Sequence, residues 1–189
     1  MSLTGRVAAA FAATPRADFL PPGERGLADF DGALPIGWEA TCSQPRTVQA
    51  MLHLLAPEPG DRVLDVGSGS GWTTALLAHL VTSAGSVFGV EIVAELVDFG
   101  GANLAGTGRT WGHIERAAPG VLGLPHHAPY DRILVSADAG KVPGELLDQL
   151  SPTGTLVLPV AGSMLRIGPD ETGVRTHSHH GSYRFVPLR

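Results

Sequence analysis

A glycine-rich loop between a predicted strand and a predicted helix constrains the fold of this chain more than any other feature. Arg62–Val66 is a short apolar run typical of a buried strand, and Trp72–Val81 has the length and composition of a helix. Residues 67–71 between them read Gly-Ser-Gly-Ser-Gly, and these glycines permit a tight turn and the close approach of a ligand. A strand, a glycine loop and a helix in this order predict an α/β fold with a ligand at the loop.

The segments after this loop continue to alternate between strand and helix patterns. Such alternation is typical of a doubly wound α/β fold, a mostly parallel sheet with helices on both faces. Two last candidate strands, Met164–Ile167 and Tyr183–Leu188, predict an antiparallel edge at the C-terminal end of the chain. The other predicted strands are Ser86–Val90, His113–Arg116, Arg132–Ser136 and Thr155–Val160, and the predicted helices are Ala94–Leu104 and Glu145–Leu150.

Residues 14–45 are rich in proline and glycine and predict an irregular segment between two helices. The first helix is predicted over Gly5–Ala13, and the second begins at Pro45 with Ser43 as its N-cap. Linkers are polar, whereas this segment carries apolar side chains that need a surface to cover. We therefore expect it to be a lid on one domain that spans residues 1–189.

Composition and charge exclude several classes of protein. Hydrophobic residues make up 43% of the chain, which rules out a wholly disordered protein. No apolar run reaches the roughly 18 residues that a membrane span needs, and no secretory signal is expected. The formal charge of -5, with Lys141 as the one lysine, disfavours nucleic-acid binding. Because Cys42 is the single cysteine, we expect no internal disulfide and a cytoplasmic protein. We also expect a monomer.

The histidines do not predict a metal site. His177, His179 and His180 lie close together near the C-terminal end, and His126 and His127 form a pair. A metal site needs at least three ligands that converge in a fixed geometry, and the glycine and serine residues around the first group indicate an exposed turn. We therefore expect no metal.

Acidic residues on both sides of the glycine loop indicate which cofactor it would hold. Glu91 ends the next predicted strand, followed by Ile92, and an acidic side chain there can accept hydrogen bonds from both ribose hydroxyls of a nucleoside. Asp65, just before the loop, would repel a pyrophosphate but not a sulfonium and an amino group. The pattern therefore favours S-adenosyl-L-methionine over a nicotinamide dinucleotide. The candidate cofactor-binding residues are Asp65, Gly67, Ser68, Gly69, Gly71, Glu91 and Ile92.

Several segments of the chain resemble the protein-L-isoaspartate O-methyltransferase family, and the resemblance covers nearly the whole chain in the same order. The matching segments are Ala33–Gly37, Thr41–Pro45, the sequence VLDVGSGSGWTTALLA from Val63, Ala128–Asp131 and Arg184–Leu188. The resemblance implies a Rossmann-like class I methyltransferase. It also implies methylation of the carboxylate of isoaspartyl residues in damaged proteins or peptides, a repair reaction that leaves S-adenosyl-L-homocysteine.

The resemblance also implies roles for individual residues. Thr41 and Ser43 would donate hydrogen bonds to the reacting carboxylate, and Ala118 and Pro119 would lie at the adenine end of the cofactor. A carboxylate is already a nucleophile at neutral pH. Catalysis therefore consists mainly of placing the reacting atoms in line and excluding water.

Three residues depart from the family pattern and leave other functions open. Glu39 and Asp138 add negative charge where a carboxylate substrate would bind. Pro119 replaces an aspartate that accepts a hydrogen bond from adenine, and losing such a bond costs about 0.5–1.5 kcal/mol. The alternatives are a relative that methylates another carboxylate or a small molecule, and an interaction module that binds the cofactor or nothing.

Overall fold

A seven-stranded sheet forms the centre of the computed structural model, which describes residues 1–189. The strands of the whole chain are β1 (Leu34–Gly37), β2 (Ala40–Cys42), β3 (Arg62–Val66), β4 (Ser86–Glu91), β5 (Gly112–Arg116), β6 (Tyr130–Val135), β7 (Leu150–Val160), β8 (Ser163–Pro169) and β9 (Arg175–Ser182). The helices are α1 (Leu3–Ala12), α2 (Pro45–Leu55), α3 (Trp72–Val81), α4 (Ala94–Ala105) and α5 (Gly144–Leu147). None of these helices has the length and apolar character needed to cross a membrane.

The order of the strands confirms the doubly wound fold. The sheet runs β5-β4-β3-β6-β7-β8-β9. The pairs from β5 through β7 are parallel, whereas β7–β8 and β8–β9 are antiparallel. Successive strands move outward in one direction from β3 to β5 and in the other from β6 onward. Ligands of open α/β sheets bind at the carboxyl ends of the strands where this direction reverses, here between β3 and β6.

The central strands are buried on both faces because helices cover each side of the sheet. Val63 of β3 belongs to the apolar cluster that includes α1, α2 and α3, and its neighbour Leu64 belongs to the cluster on the opposite face. Both side chains are 0% exposed. A parallel strand in this position reads as a continuous apolar run, which is why the sequence pattern predicted β3 with the bounds observed.

The N-terminal segment 14–45 packs on the first of these clusters. Phe19 and Ile36 are buried in it, whereas Phe30, another apolar residue of the segment, is 59% exposed. The segment is held in place by Arg16, whose guanidinium is buried and donates hydrogen bonds to backbone carbonyl oxygens along it. The acceptors are Phe30 at 2.9 Å, Gly32 at 2.8 Å, Cys42 at 2.9 Å and Ser43 at 3.0 Å.

Three local predictions were wrong. The helix predicted over Glu145–Leu150 is the shorter α5, Gly144–Leu147, and Leu150 already begins β7. The N-cap of α2 is Gln44 rather than Ser43, and no side chain caps the helix. The last strand is β9 rather than Tyr183–Leu188, so the histidines predicted to lie in a turn are part of a strand. Asp170 sets this register, because its Oδ1 accepts hydrogen bonds from the backbone of Thr172 and Val174 and so starts the β8–β9 hairpin early.

Candidate functional site

The glycine loop between β3 and α3 is held in a backbone conformation that requires glycine. Gly67, Gly69 and Gly71 have φ angles of 79°, 52° and 82°, in the left-handed region. A Cβ on Gly71 would lie 2.7 Å from the carbonyl oxygen of Gly100, and a Cβ on Gly100 would lie 2.6 Å from that of Gly69. The loop therefore packs directly on α4, which fixes its position at the carboxyl end of β3.

Asp65 lies beneath this loop rather than at its surface. The side chain is 0% exposed, and its Oδ2 accepts a 2.7 Å hydrogen bond from Thr74 Oγ1. Burial raises the pKa of Asp65 to about 7, because the ionised form loses its hydration. Asp65 supports the loop and α3 from below and does not reach the cavity described next.

A cavity of about 1080 Å³ opens at the carboxyl ends of β3, β4 and β6. One wall is the glycine loop, a second is the segment 116–123 after β5, and a third combines the segment 136–145 after β6 with the C-terminal residues 186–189. The β1–β2 hairpin closes it through Trp38–Thr41. A space of this size at the direction reversal of the sheet is typical of a binding site for a cofactor and its substrate.

Most of the predicted site residues line this cavity, and a minority do not. Those that line it are Gly67, Gly69, Glu91, Ile92, Ala118, Pro119 and Thr41. Those outside it are Asp65, Ser68, Gly71 and Ser43. Ser43 directly follows β2, and its backbone carbonyl oxygen accepts a hydrogen bond from Arg16.

Glu91 connects the end of β4 to the glycine loop. Its Oε2 accepts a 3.0 Å hydrogen bond from the backbone N–H of Gly69, and its Oε1 accepts from Ile92 at 2.7 Å and Val93 at 3.0 Å. A carboxylate has about four acceptor positions, so about one stays free for a ligand. That Glu91 accepts both ribose hydroxyls stays a prediction, and in this arrangement three backbone N–H groups already use the carboxylate.

The two acidic residues that depart from the family pattern, Asp138 and Glu39, both have partners in the structure. Asp138 does not line the cavity, and its carboxylate accepts hydrogen bonds from the backbone of Gly140, Ala161 and Gly162 at 2.8, 2.9 and 2.8 Å. These bonds, that from Gly140 above all, lower the pKa of Asp138. Glu39 does line the cavity, but it forms an ion pair with Arg189. Neither carboxylate faces the cavity as an unpaired charge.

Sequence reasoning missed three cations of the cavity wall, namely Arg116, Lys141 and Arg189. They come from three separate segments that only the fold brings together. The one signal in the sequence was that Lys141 is the single lysine of the chain. Arg189 is paired with Glu39, and Glu91 and Glu145 also line the cavity, so Arg116 and Lys141 are the two cations that can face an anionic ligand there.

Comparisons with known proteins agree on one family. The family model "Protein-L-isoaspartate(D-aspartate) O-methyltransferase (PCMT)" matches residues 1–189. A protein-L-isoaspartate O-methyltransferase of Methanopyrus kandleri is 42% identical over 189 residues, which cover 98% of this chain and 84% of that protein. One of Aeropyrum pernix is 48% identical over 163 residues, which cover 86% of this chain but only 62% of that protein.

Solved structures show the same fold. A protein-L-isoaspartate O-methyltransferase superposes with a TM-score of 0.85 at 23% identity, covering 97% of this chain and 61% of its own. The protein of that type from Plasmodium falciparum, in complex with S-adenosyl-L-homocysteine, superposes with a TM-score of 0.82 at 22% identity, covering 97% and 90%.

Proposed function

Because this chain belongs to the protein-L-isoaspartate O-methyltransferase family, we propose that it methylates the carboxylate of isoaspartyl residues in damaged proteins or peptides with S-adenosyl-L-methionine. One observation supports this above the others. The cavity is lined on one side by the glycine loop and Glu91 and on the other by Thr41 of the β1–β2 hairpin. We assign the first side to the cofactor and call it the cofactor wall, and we assign the second side to the substrate and call it the substrate wall.

The residues of the cofactor wall fit S-adenosyl-L-methionine. A Cβ on Gly67 would meet nothing closer than 3.9 Å, so the bare backbone there leaves room for a ligand to approach. Glu91 has about one acceptor position left for a ribose hydroxyl. Pro119 lies on the cavity wall and has no N–H, so it can offer adenine only its carbonyl oxygen and the packing of its ring. When bound, the cofactor supplies a methyl group on a positively charged sulfur.

The residues of the substrate wall suit a carboxylate. Lys141 and Arg116 attract an anion into the cavity, and the hydroxyl of Thr41 can donate a hydrogen bond to it. A carboxylate needs no base to become a nucleophile, so the chain only has to orient it and exclude water. We assign this orienting role to the segment 14–45 as a lid, because its β1–β2 hairpin carries Thr41 into the cavity wall.

The test is a calorimetric titration with S-adenosyl-L-homocysteine, followed by a methylation assay. The assay uses a peptide that contains isoaspartate and the same peptide with aspartate as the matched control, and mass spectrometry detects the ester. We expect cofactor binding and methylation of the isoaspartyl peptide alone. Binding without methylation of that peptide would point to another methyl acceptor. Absence of binding would favour an interaction module.

We also propose that the protein acts as a cytoplasmic monomer. Cys42 is the single cysteine and is buried, which suits a reducing compartment. Size-exclusion chromatography with light scattering measures the oligomeric state, and a mass of twice 19.6 kDa would contradict the monomer.

A further inference from the structure

Two neighbouring histidines and a glutamate converge on the surface beside β5. Glu115 lies on β5, and His126 and His127 lie in a short 3₁₀ turn, Pro125–His127. His127 Nε2 is 2.7 Å from Glu115 Oε1, and His126 Nε2 is 3.1 Å from Glu115 Oε2. All three potential ligand atoms lie within 4.8 Å of one another. None of these residues lines the large cavity, so the cluster is separate from the proposed active site.

His127 and Glu115 are each held in place by contacts with residues outside the cluster. The ring of His127 stacks on Phe88, with centroids 4.0 Å apart and planes at 22°. Arg62 donates a 2.5 Å hydrogen bond from Nε to the carbonyl oxygen of His127 and lies over the same Phe88 ring. Glu115 is positioned by the pairing of β5 with β4, where it lies opposite Val90. Two of the three potential ligand residues, Glu115 and His127, are therefore held in position by the surrounding fold.

We propose that Glu115, His126 and His127 bind one divalent transition-metal ion, with Zn²⁺ as the best match. Two imidazole nitrogens and a carboxylate oxygen form a ligand set that zinc takes when it keeps an open position for water. Tetrahedral ligands around zinc lie about 3.3 Å apart. The His127–Glu115 contact at 2.7 Å would have to open by about 0.6 Å and the His126–Glu115 contact at 3.1 Å by about 0.2 Å. Any pair of ligand atoms near the 4.8 Å limit of the cluster would close by up to about 1.5 Å.

The sequence analysis, which expected no metal, considered the histidines without Glu115. Glu115 is 11 residues from His126 in the sequence, and only the return of the chain after β5 brings them together. An ion there would tie the end of β5 to the 3₁₀ turn. The residues between them include 116–123, which form a wall of the large cavity. The ion would thereby restrain that wall from outside.

The experiment is a calorimetric titration of the chelator-treated full chain with Zn²⁺ in mildly alkaline buffer. Three proteins are compared with the unsubstituted chain: Glu115→Gln, His126→Asn and the double variant His177→Asn/His179→Asn. His126 is 59% exposed, so its substitution leaves the fold intact, which thermal unfolding without metal verifies. The double variant is the matched control, since its two rings lie 5.9 Å apart on the exposed strand β9.

We expect one Zn²⁺ per chain in the unsubstituted protein and in the double variant, and binding at least about tenfold weaker in Glu115→Gln and in His126→Asn. Co²⁺ in place of Zn²⁺ should give visible absorption bands that both single variants lose. Zinc should also raise the melting temperature of the unsubstituted chain and not that of His126→Asn. The proposal is overturned if the unsubstituted chain binds no ion, if both single variants bind as tightly as it does, or if the double variant alone loses binding. Each result is independent of methyltransferase activity.

Discussion

The bridge between Glu91 and the glycine loop gives the sharpest test of how the site is built. Glu91→Gln keeps the shape of the side chain but replaces one oxygen by an N–H₂ group. The remaining oxygen can still accept from Ile92 and Val93, whereas the new amide nitrogen faces the N–H of Gly69, which then loses its acceptor. A hydrogen bond to a charged group is worth about 1.5–3 kcal/mol. We expect the free energy of unfolding to fall by about this amount.

The same substitution should weaken cofactor binding. Since about 1.4 kcal/mol corresponds to a tenfold change in affinity, the loss of loop positioning predicts a dissociation constant for S-adenosyl-L-homocysteine at least about tenfold higher. Urea unfolding measures the first effect and calorimetry the second. The control is Asp98→Asn, which removes one negative charge from an exposed position on α4. If Glu91→Gln stays within about 0.5 kcal/mol of this control in stability, the bonds to Glu91 do not hold the loop.

Three further substitutions test the packing, the buried carboxyl group and the lid. Gly71→Ala should destabilise the fold by at least about 1–3 kcal/mol, because the φ of Gly71 is 82° and an added Cβ would lie 2.7 Å from the carbonyl oxygen of Gly100. The control is Gly101→Ala, where an added Cβ meets no atom within 4 Å, and it should show no loss of stability in the same urea unfolding assay. Asp65 is protonated in the folded state up to a pKa of about 7, against 3.8 unfolded, so its contribution to stability is present below pH 3.8 and lost as the pH rises through 7. Asp65→Asn should abolish this decline of at most about 4 kcal/mol, and an unchanged slope in unfolding experiments across that range would contradict the raised pKa. Arg16→Met removes the guanidinium that donates to five backbone carbonyl oxygens of the segment 14–45, including that of Ala28 at 3.4 Å. We expect faster proteolysis of that segment, and equal rates would show that Arg16 does not hold it.

The strand–loop–helix unit was predictable because its determinants are local. β3 and α3 have the predicted bounds, Arg62–Val66 and Trp72–Val81. A strand buried on both faces and a short apolar helix leave continuous apolar patterns in the sequence, and the glycines between them reflect a steric requirement of the backbone at each position.

Elements without a buried face were predicted poorly. β9 is exposed along nearly its whole length, so its sequence carries no apolar alternation. The strand was therefore predicted at Tyr183–Leu188, where apolar residues do occur. The N-cap of α2 was misplaced by one residue because Pro45 already suits the first turn of a helix, so the residue before it needs no capping side chain.

The sequence by itself determined the α/β class, the glycine loop and the family, since each depends on residues that are neighbours along the chain. Only the tertiary structure decided which side chains from distant parts of the chain come into contact. It placed Asp65 below the loop, paired Glu39 with Arg189 and turned Asp138 toward backbone N–H groups. It also brought Glu115 to the two histidines. Hydrogen bonds and ligand sites depend on distances of a few ångströms, and separation along the chain does not specify those distances until the sheet and its loops have closed.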